Sequence, residues 1–88
     1  MPALSMFYGI IIYMYCESGG QHNKPHIHAE YQDFEVVVSL DGDVIQGKFP
    51  PKKLRMVQTW IDIHKEELEA NWKLLENGND CFKISPLR

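Results

Sequence analysis

The sequence predicts an α+β fold, in which an antiparallel, four-stranded β-meander is followed by two C-terminal helices or by one bent helix. Short runs of β-branched and aromatic residues, separated by turn residues, fill the first half of the chain. After Pro50-Pro51, apolar residues recur at helical spacing instead. With 88 residues and no internal repeat or linker, the chain is expected to form a single α+β domain over positions 1–88.

The first two predicted strands flank a glycine-containing loop. Residues 7–15 are rich in isoleucine and aromatic side chains and are followed by Ser18-Gly19-Gly20, which predicts one largely buried strand and then a loop. Residues 26–31 predict a second, shorter strand. The loop therefore leads directly into the histidines of the second strand.

Residues 34–40 and 44–49 complete the predicted meander. Gln32-Asp33 suits a tight turn before the third strand, and Asp41-Gly42-Asp43 is a hairpin signal before the fourth. Every second residue of the third strand is apolar and is expected to face the core: Phe34, Val36, Val38 and Leu40.

Helix is predicted from Pro50-Pro51 onward, because proline is well tolerated in a first helical turn. Apolar residues then recur on one stripe, which also includes His64: Leu54, Val57, Ile61, Leu68, Trp72 and Leu75. A straight helix as far as Asn77-Gly78 would be about 40 Å long, which exceeds the width of a small domain. A break is therefore expected near His64, and residues 81–88 are expected to dock as an extended tail or to reach a partner.

Composition and charge limit the classes of function. The formal net charge of −3 gives no broad positive field for general nucleic-acid binding, so any contact with RNA must be local. Cys16 and Cys81 lack the paired spacing of a metal or redox motif. The start resembles no secretory signal, and no apolar run approaches the ~20 residues of a membrane span. A cytoplasmic protein without a membrane partner is expected.

The chemically most distinctive segment is residues 22–30, which contains three histidines and a glutamate. Side chains alternate along a strand, so His26, His28 and Glu30 are expected on one face, with Tyr31 on the other. Pro25 restricts the backbone before the strand and is expected to keep His22 near the same end.

Three interpretations of this face remain open. His26 and His28 could act as base and acid in a metal-independent ribonuclease, with Glu30 orienting one of them. Alternatively, the histidines could hold a divalent transition metal such as zinc, with His22, His26 and His28 as ligands. The same side chains could also form a hydrogen-bonded polar face that binds no ligand.

Four motifs carry a family resemblance over nearly the whole chain. They are Met-Pro-Ala-Leu-Ser-x-Phe-x-Gly-Ile-Ile-Ile, Lys-Pro-His-Ile-His-Ala-Glu-Tyr, Gly-Asp-Val-Ile-Gln-Gly-Lys-Phe-Pro and Trp-Ile-Asp-Ile-His-Lys-Glu-Glu-Leu-x-x-Asn-Trp. Together they resemble the small bacterial proteins of domain-of-unknown-function family 4160. The family's recurring polar positions fall on seven residues of this chain: His26, His28, Glu30, Tyr31, His64, Asn71 and Trp72.

The resemblance implies a partner, because members of that family are often encoded beside a small protein in an arrangement similar to a toxin–antitoxin pair. The function expected by this analogy is a toxin-like ribonuclease. Its catalytic residues would be His26, His28, Glu30 and Tyr31. Its phosphate-binding residues would be Lys24, Lys52, Lys53 and Arg55.

No cofactor is expected for the ribonuclease. The alternative expectation is a non-enzymatic protein-interaction module. In that case the sheet edge or the amphipathic helices bind the partner protein, and the histidines are structural or hold a stabilising metal. RNA and a second copy of the chain are further candidate partners.

Overall fold

The computed structural model describes residues 3–15 and 24–87. Within them the fold is α+β, as predicted, and consists of an antiparallel sheet followed by two C-terminal helices. The strands are β1 (Ser5–Phe7), β2 (Ile10–Tyr13), β3 (His26–Tyr31), β4 (Phe34–Ser39) and β5 (Val44–Lys48). The helices are α1 (Pro51–Ile63) and α2 (Lys65–Glu76). The strands lie side by side in chain order, so the sheet is a meander.

The described sheet has five strands rather than the predicted four, because the predicted first strand is a hairpin. Tyr8 and Gly9 form its two-residue turn, with φ angles of 50° and 80°, and Phe7 pairs with Ile10 across it. Positive φ at both central residues matches the twist of the flanking strands. The continuous apolar run concealed this turn, and the prediction of a single strand over residues 7–15 was wrong.

Strands β3 and β4 supply the centre of the core. Ile27 and Ala29 are fully buried, as the predicted alternation requires, and Val36 and Val38 are buried opposite them. Phe34 contradicts the prediction, since it is 42% exposed. It directly follows the tight turn between β3 and β4 and lies at the rim of the sheet, where fewer neighbours cover it.

Strand β5 lies at an edge of the sheet and is irregular. Val37 pairs with Gln46 while Val38 pairs with Val44, so Ile45 is an extra residue that forms a β-bulge. Gly47 follows with a φ of 92°. A bulge and a backbone kink protect an edge strand from pairing with other strands, so β5 is poorly suited to strand addition.

The break predicted near His64 is confirmed, because His64 ends α1 and precedes α2. The predicted end at Asn77-Gly78 is also confirmed. The N–H groups of Gly78 and Asn79 donate to the carbonyls of Leu75 and Leu74, the paired bonds of a Schellman motif. Among the described residues, neither helix combines the length and apolar character that crossing a membrane requires.

The tail docks as an extended segment, one of the two arrangements predicted for it. Ile84 is buried, and its N–H donates to the carbonyl of Leu4 at 3.0 Å. The indole N–H of Trp60 donates to the carbonyl of Ser85 at 2.8 Å. The tail thereby closes the core against the start of β1 and against helix α1.

Candidate functional site

Four aromatic rings form a row at the start of strand β3. The Tyr15 ring stacks on His28 with 4.2 Å between centroids. The His28 ring meets His26 edge to face at 5.2 Å, and His26 lies 5.2 Å from Trp72 of α2. We call Tyr15, His28, His26 and Trp72 the ring row. It connects the sheet to the second helix through aromatic contacts.

His26 is a buried member of this row, with only 3% of its surface exposed. Its Nδ1 lies 2.9 Å from the carbonyl oxygen of Lys24. A carbonyl can only accept a hydrogen bond, so Nδ1 carries a proton and donates it. This bond fixes the orientation of the imidazole ring and keeps it packed against Trp72.

His28 lies in the middle of the sheet, opposite Tyr13 on β2 and Val37 on β4. Both of its ring nitrogens are shielded from solvent. Its position in β3 and its stacking with Tyr15 hold the ring on the face of the sheet opposite to buried Ile27 and Ala29, which we call the outer face. The two histidines are therefore adjacent on one face, as the alternation predicted.

The other two residues of the predicted catalytic set lie elsewhere. Glu30 shares the face of His26 but lies four residues further along β3, about 13 Å away at the rise of an extended strand. Tyr31 points to the opposite face, where its ring lies 6.1 Å from that of Phe49. The structure thus brings together the two histidines, but not the full set of four.

The predicted phosphate-binding residues are divided between the two ends of the sheet. Lys24 precedes β3, and its Nζ lies 3.7 Å from Asp41 and 3.9 Å from Asp43. At the far end of β3, Lys53 donates to the carbonyl of Tyr8 at 3.2 Å. The length of a six-residue strand separates these two lysines.

Lys52 and Arg55 are exposed on the first turns of α1 and lie beside Lys53 in the chain. The Nζ of Lys53 also lies 4.9 Å above the Tyr31 ring, which is a cation–π contact. The predicted cluster of basic residues therefore exists at the sheet-to-helix junction. It lies at the Tyr31 end of β3 and not beside His26.

The metal site predicted as an alternative involves His22, which lies outside the described residues. Within residues 3–15 and 24–87, no three His, Cys, Asp or Glu side chains are grouped so that they could hold a metal ion. Cys81 is a free thiol whose pKa is raised by burial and by the nearby charge of Asp80. Cys16, like His22, falls outside the described part of the chain.

His64 and Asn71 have structural contacts. The His64 ring packs on Trp60 at 5.5 Å, and its Nδ1 lies 2.7 Å from the Glu67 carboxylate. Asn71 is fully buried; its amide donates to the carbonyl of Phe82 and accepts from the N–H of the same residue, each at 3.0 Å. In the sequence, only the family resemblance indicated Asn71. In the structure, Asn71 holds the tail against α2.

One feature of the sheet was missed by the sequence predictions. Glu35 on β4 lies directly opposite Glu30 on β3. The signal was present, because a two-residue turn at Gln32-Asp33 sets this pairing. The outer face of the sheet therefore carries two neighbouring carboxylates.

Comparison with known proteins identifies a family for this chain. The model of the family described as Domain of unknown function (DUF4160) matches residues 9–73, which include the sheet from the hairpin turn onward and most of both helices. Neither curated proteins nor solved structures gave a significant match.

Proposed function

The chain belongs to the DUF4160 family, and we propose that it is a non-enzymatic protein-interaction module and that its partner is a small protein encoded beside it, as the family resemblance implies. In this proposal the ring row is structural and positions helix α2 against the sheet. The surfaces that remain exposed on the sheet are then available to the partner.

The observation that carries the proposal is the packing of His26. A histidine that exchanges protons with a substrate must be reachable by it, within hydrogen-bond distance or through one water. His26 is 3% exposed, lies between His28 and Trp72, and donates its Nδ1 proton to a backbone carbonyl. These contacts are those of a packed core histidine.

The distribution of basic residues supports the same proposal. A ribonuclease needs positive charge beside its acid and base to bind the phosphate that reacts. Lys53 contacts Tyr8 and Tyr31 at one end of the sheet, whereas Lys24, at the histidine end, pairs with Asp41 and Asp43. The formal net charge of −3 adds no general attraction for RNA.

A toxin-like ribonuclease is the second candidate function, favoured by one observation. His26 and His28 place two imidazole rings 5.2 Å apart on one face of the sheet, a separation that suits a base and an acid. Opening of the ring row would be needed to admit a substrate.

Co-expression with the neighbouring gene tests the proposal. We expect a tagged chain to retain the neighbouring protein through size-exclusion chromatography. We also expect the His26→Ala/His28→Ala variant to lose both thermal stability and partner binding, because the row that positions α2 is gone. A double variant that stays folded and still binds, yet no longer cleaves RNA that the wild type cleaves, would instead establish the ribonuclease.

A further inference from the structure

A row of five side chains, one from each strand, crosses the outer face of the sheet next to the row that contains His28. Strand register places them side by side: Met6, Ile11, Glu30, Glu35 and Lys48. We call this set the outer row. At about 4.8 Å between strands, it is about 19 Å long.

One half of the outer row is apolar and open to solvent. Met6, on the edge strand β1, is 63% exposed, and its neighbour Ile11 is partly exposed. The core residues of these strands point to the other face, where the helices cover them. An exposed apolar patch beside charged residues is typical of a surface that another molecule covers.

The other half of the outer row is acidic. Glu30 and Glu35 face each other directly across β3 and β4, and carboxylates in that arrangement repel one another. Lys48 lies beyond Glu35, and within residues 3–15 and 24–87 neither glutamate forms an ion pair. The row therefore keeps an excess negative charge that a basic group would stabilise.

The facing carboxylates and the exposed apolar patch make the sheet less stable when no other molecule covers it. Proteins tend to break local rules of stability where function requires it. An apolar patch and an acidic pair only a few ångströms apart suit a binding segment that presents apolar and basic side chains together.

We propose that the outer row is the docking surface for a segment of the partner protein in which lysine or arginine lies beside apolar side chains. The inference rests on the proposed function and names the surface that performs it. Charge complementarity selects this partner, since a second copy of the chain would bring another acidic pair, Glu30 and Glu35, to the same surface. A helix of about 13 residues would span the row.

A synthetic helical peptide of leucine and lysine is a direct probe. Its affinity for the full chain is measured by fluorescence anisotropy, and its location by amide chemical shifts of the ¹⁵N-labelled chain. The test variant is Glu30→Gln/Glu35→Gln. The matched control is Glu66→Gln/Glu69→Gln, which removes the same charge from exposed positions on α2.

We expect the test variant to bind the peptide about tenfold more weakly than the wild type, and the control to stay within about twofold. Shifts should concentrate on β1 to β4, and a peptide with glutamate in place of lysine should not bind. Equal weakening in both variants would overturn the proposal, because it would show general attraction to an acidic protein. Self-association of the chain that depends on Met6 would also overturn it, by identifying a second copy as the occupant.

Titration with the neighbouring protein separates this inference from the proposed function. If that protein binds the wild type and both variants equally, the interaction module stands and the docking surface is wrong. If it binds none of them, the proposed function fails. Weakened binding by the Glu30→Gln/Glu35→Gln variant alone supports both.

Discussion

Gly47 lies in the bulged edge strand β5, where both its backbone conformation and its surroundings exclude a side chain. Its φ is 92°, and a Cβ atom built there would overlap the carbonyl oxygen of Glu35. Gly42, in the turn between β4 and β5, has a similar φ of 94°, but a Cβ atom there would meet nothing within 4 Å. Substitution of the two glycines therefore distinguishes the cost of backbone strain alone from the added cost of steric overlap.

We predict that Gly47→Ala lowers the free energy of unfolding by about 3 kcal/mol or more, because the strand must move away from β4. Gly42→Ala should lower it by about 1–2 kcal/mol, the cost of the left-handed conformation alone. Urea unfolding of both variants measures the difference. Equal losses would show that β5 is free to move at Gly47.

Asn71 offers a second test at the scale of one residue. Asn71→Ala would leave the N–H and carbonyl of Phe82 without their partner, so we predict a loss of about 3 kcal/mol in the free energy of unfolding. Amide hydrogen exchange at Phe82 and Ile84 should accelerate, since the tail loses its main attachment to α2. The control is Asn79→Ala, at an exposed position, which should change stability by less than about 0.5 kcal/mol. A stable variant with a protected tail would contradict this role.

At the scale of elements, an ion pair connects the turn between β4 and β5 to the start of α2. Lys65 donates to Asp41 at 3.1 Å, and this bond and its charge lower the pKa of the Asp41 carboxyl below its ordinary value of 3.8. The same contact raises the pKa of Lys65 above 10.5. The pair therefore contributes to stability between these two values.

The sign of the pH dependence follows from these shifts. Because the carboxyl pKa is lower in the folded state, its contribution is present above pH 3.8 and is lost as the pH falls through the folded value. We predict that the stability difference between wild type and Asp41→Asn is greatest near neutral pH and disappears in strong acid. Thermal unfolding as a function of pH measures it. The control is Asp33→Asn. Its stability difference from wild type should not depend on pH in this way, since Asp33 forms no ion pair among the described residues.

Sequence patterns predicted those elements whose signals are local. The alternation along β3 follows from a period of two, and the end of α2 follows from Asn77-Gly78. The break near His64 has no local signal and was predicted only from the length that a straight helix would have. The turn at Tyr8-Gly9 was missed because a tyrosine at positive φ has no compositional signal inside an apolar run. The ring row could not be predicted, since Tyr15 and Trp72 come from elements that only the tertiary fold brings together.

At the scale of the whole molecule, the two helices cover one face of a small sheet and leave part of the other exposed. A chain of 88 residues buries a limited core, so the coverage of further apolar surface by a partner would add to its stability. The His26 contacts and the outer row support the same proposal, in which the histidines hold the fold and the sheet face binds the partner.

Calorimetric titration of the small protein proposed as its partner into the purified wild-type chain tests whether the chain is an interaction module. We predict saturable binding at a 1:1 ratio, with a Kd of about 1 μM or tighter. We also predict that raising the salt concentration weakens the affinity, because charge complementarity contributes to it. Absence of binding at protein concentrations about a hundredfold above that Kd would contradict the interaction module. The histidine pair would then have to be considered again as a catalytic site.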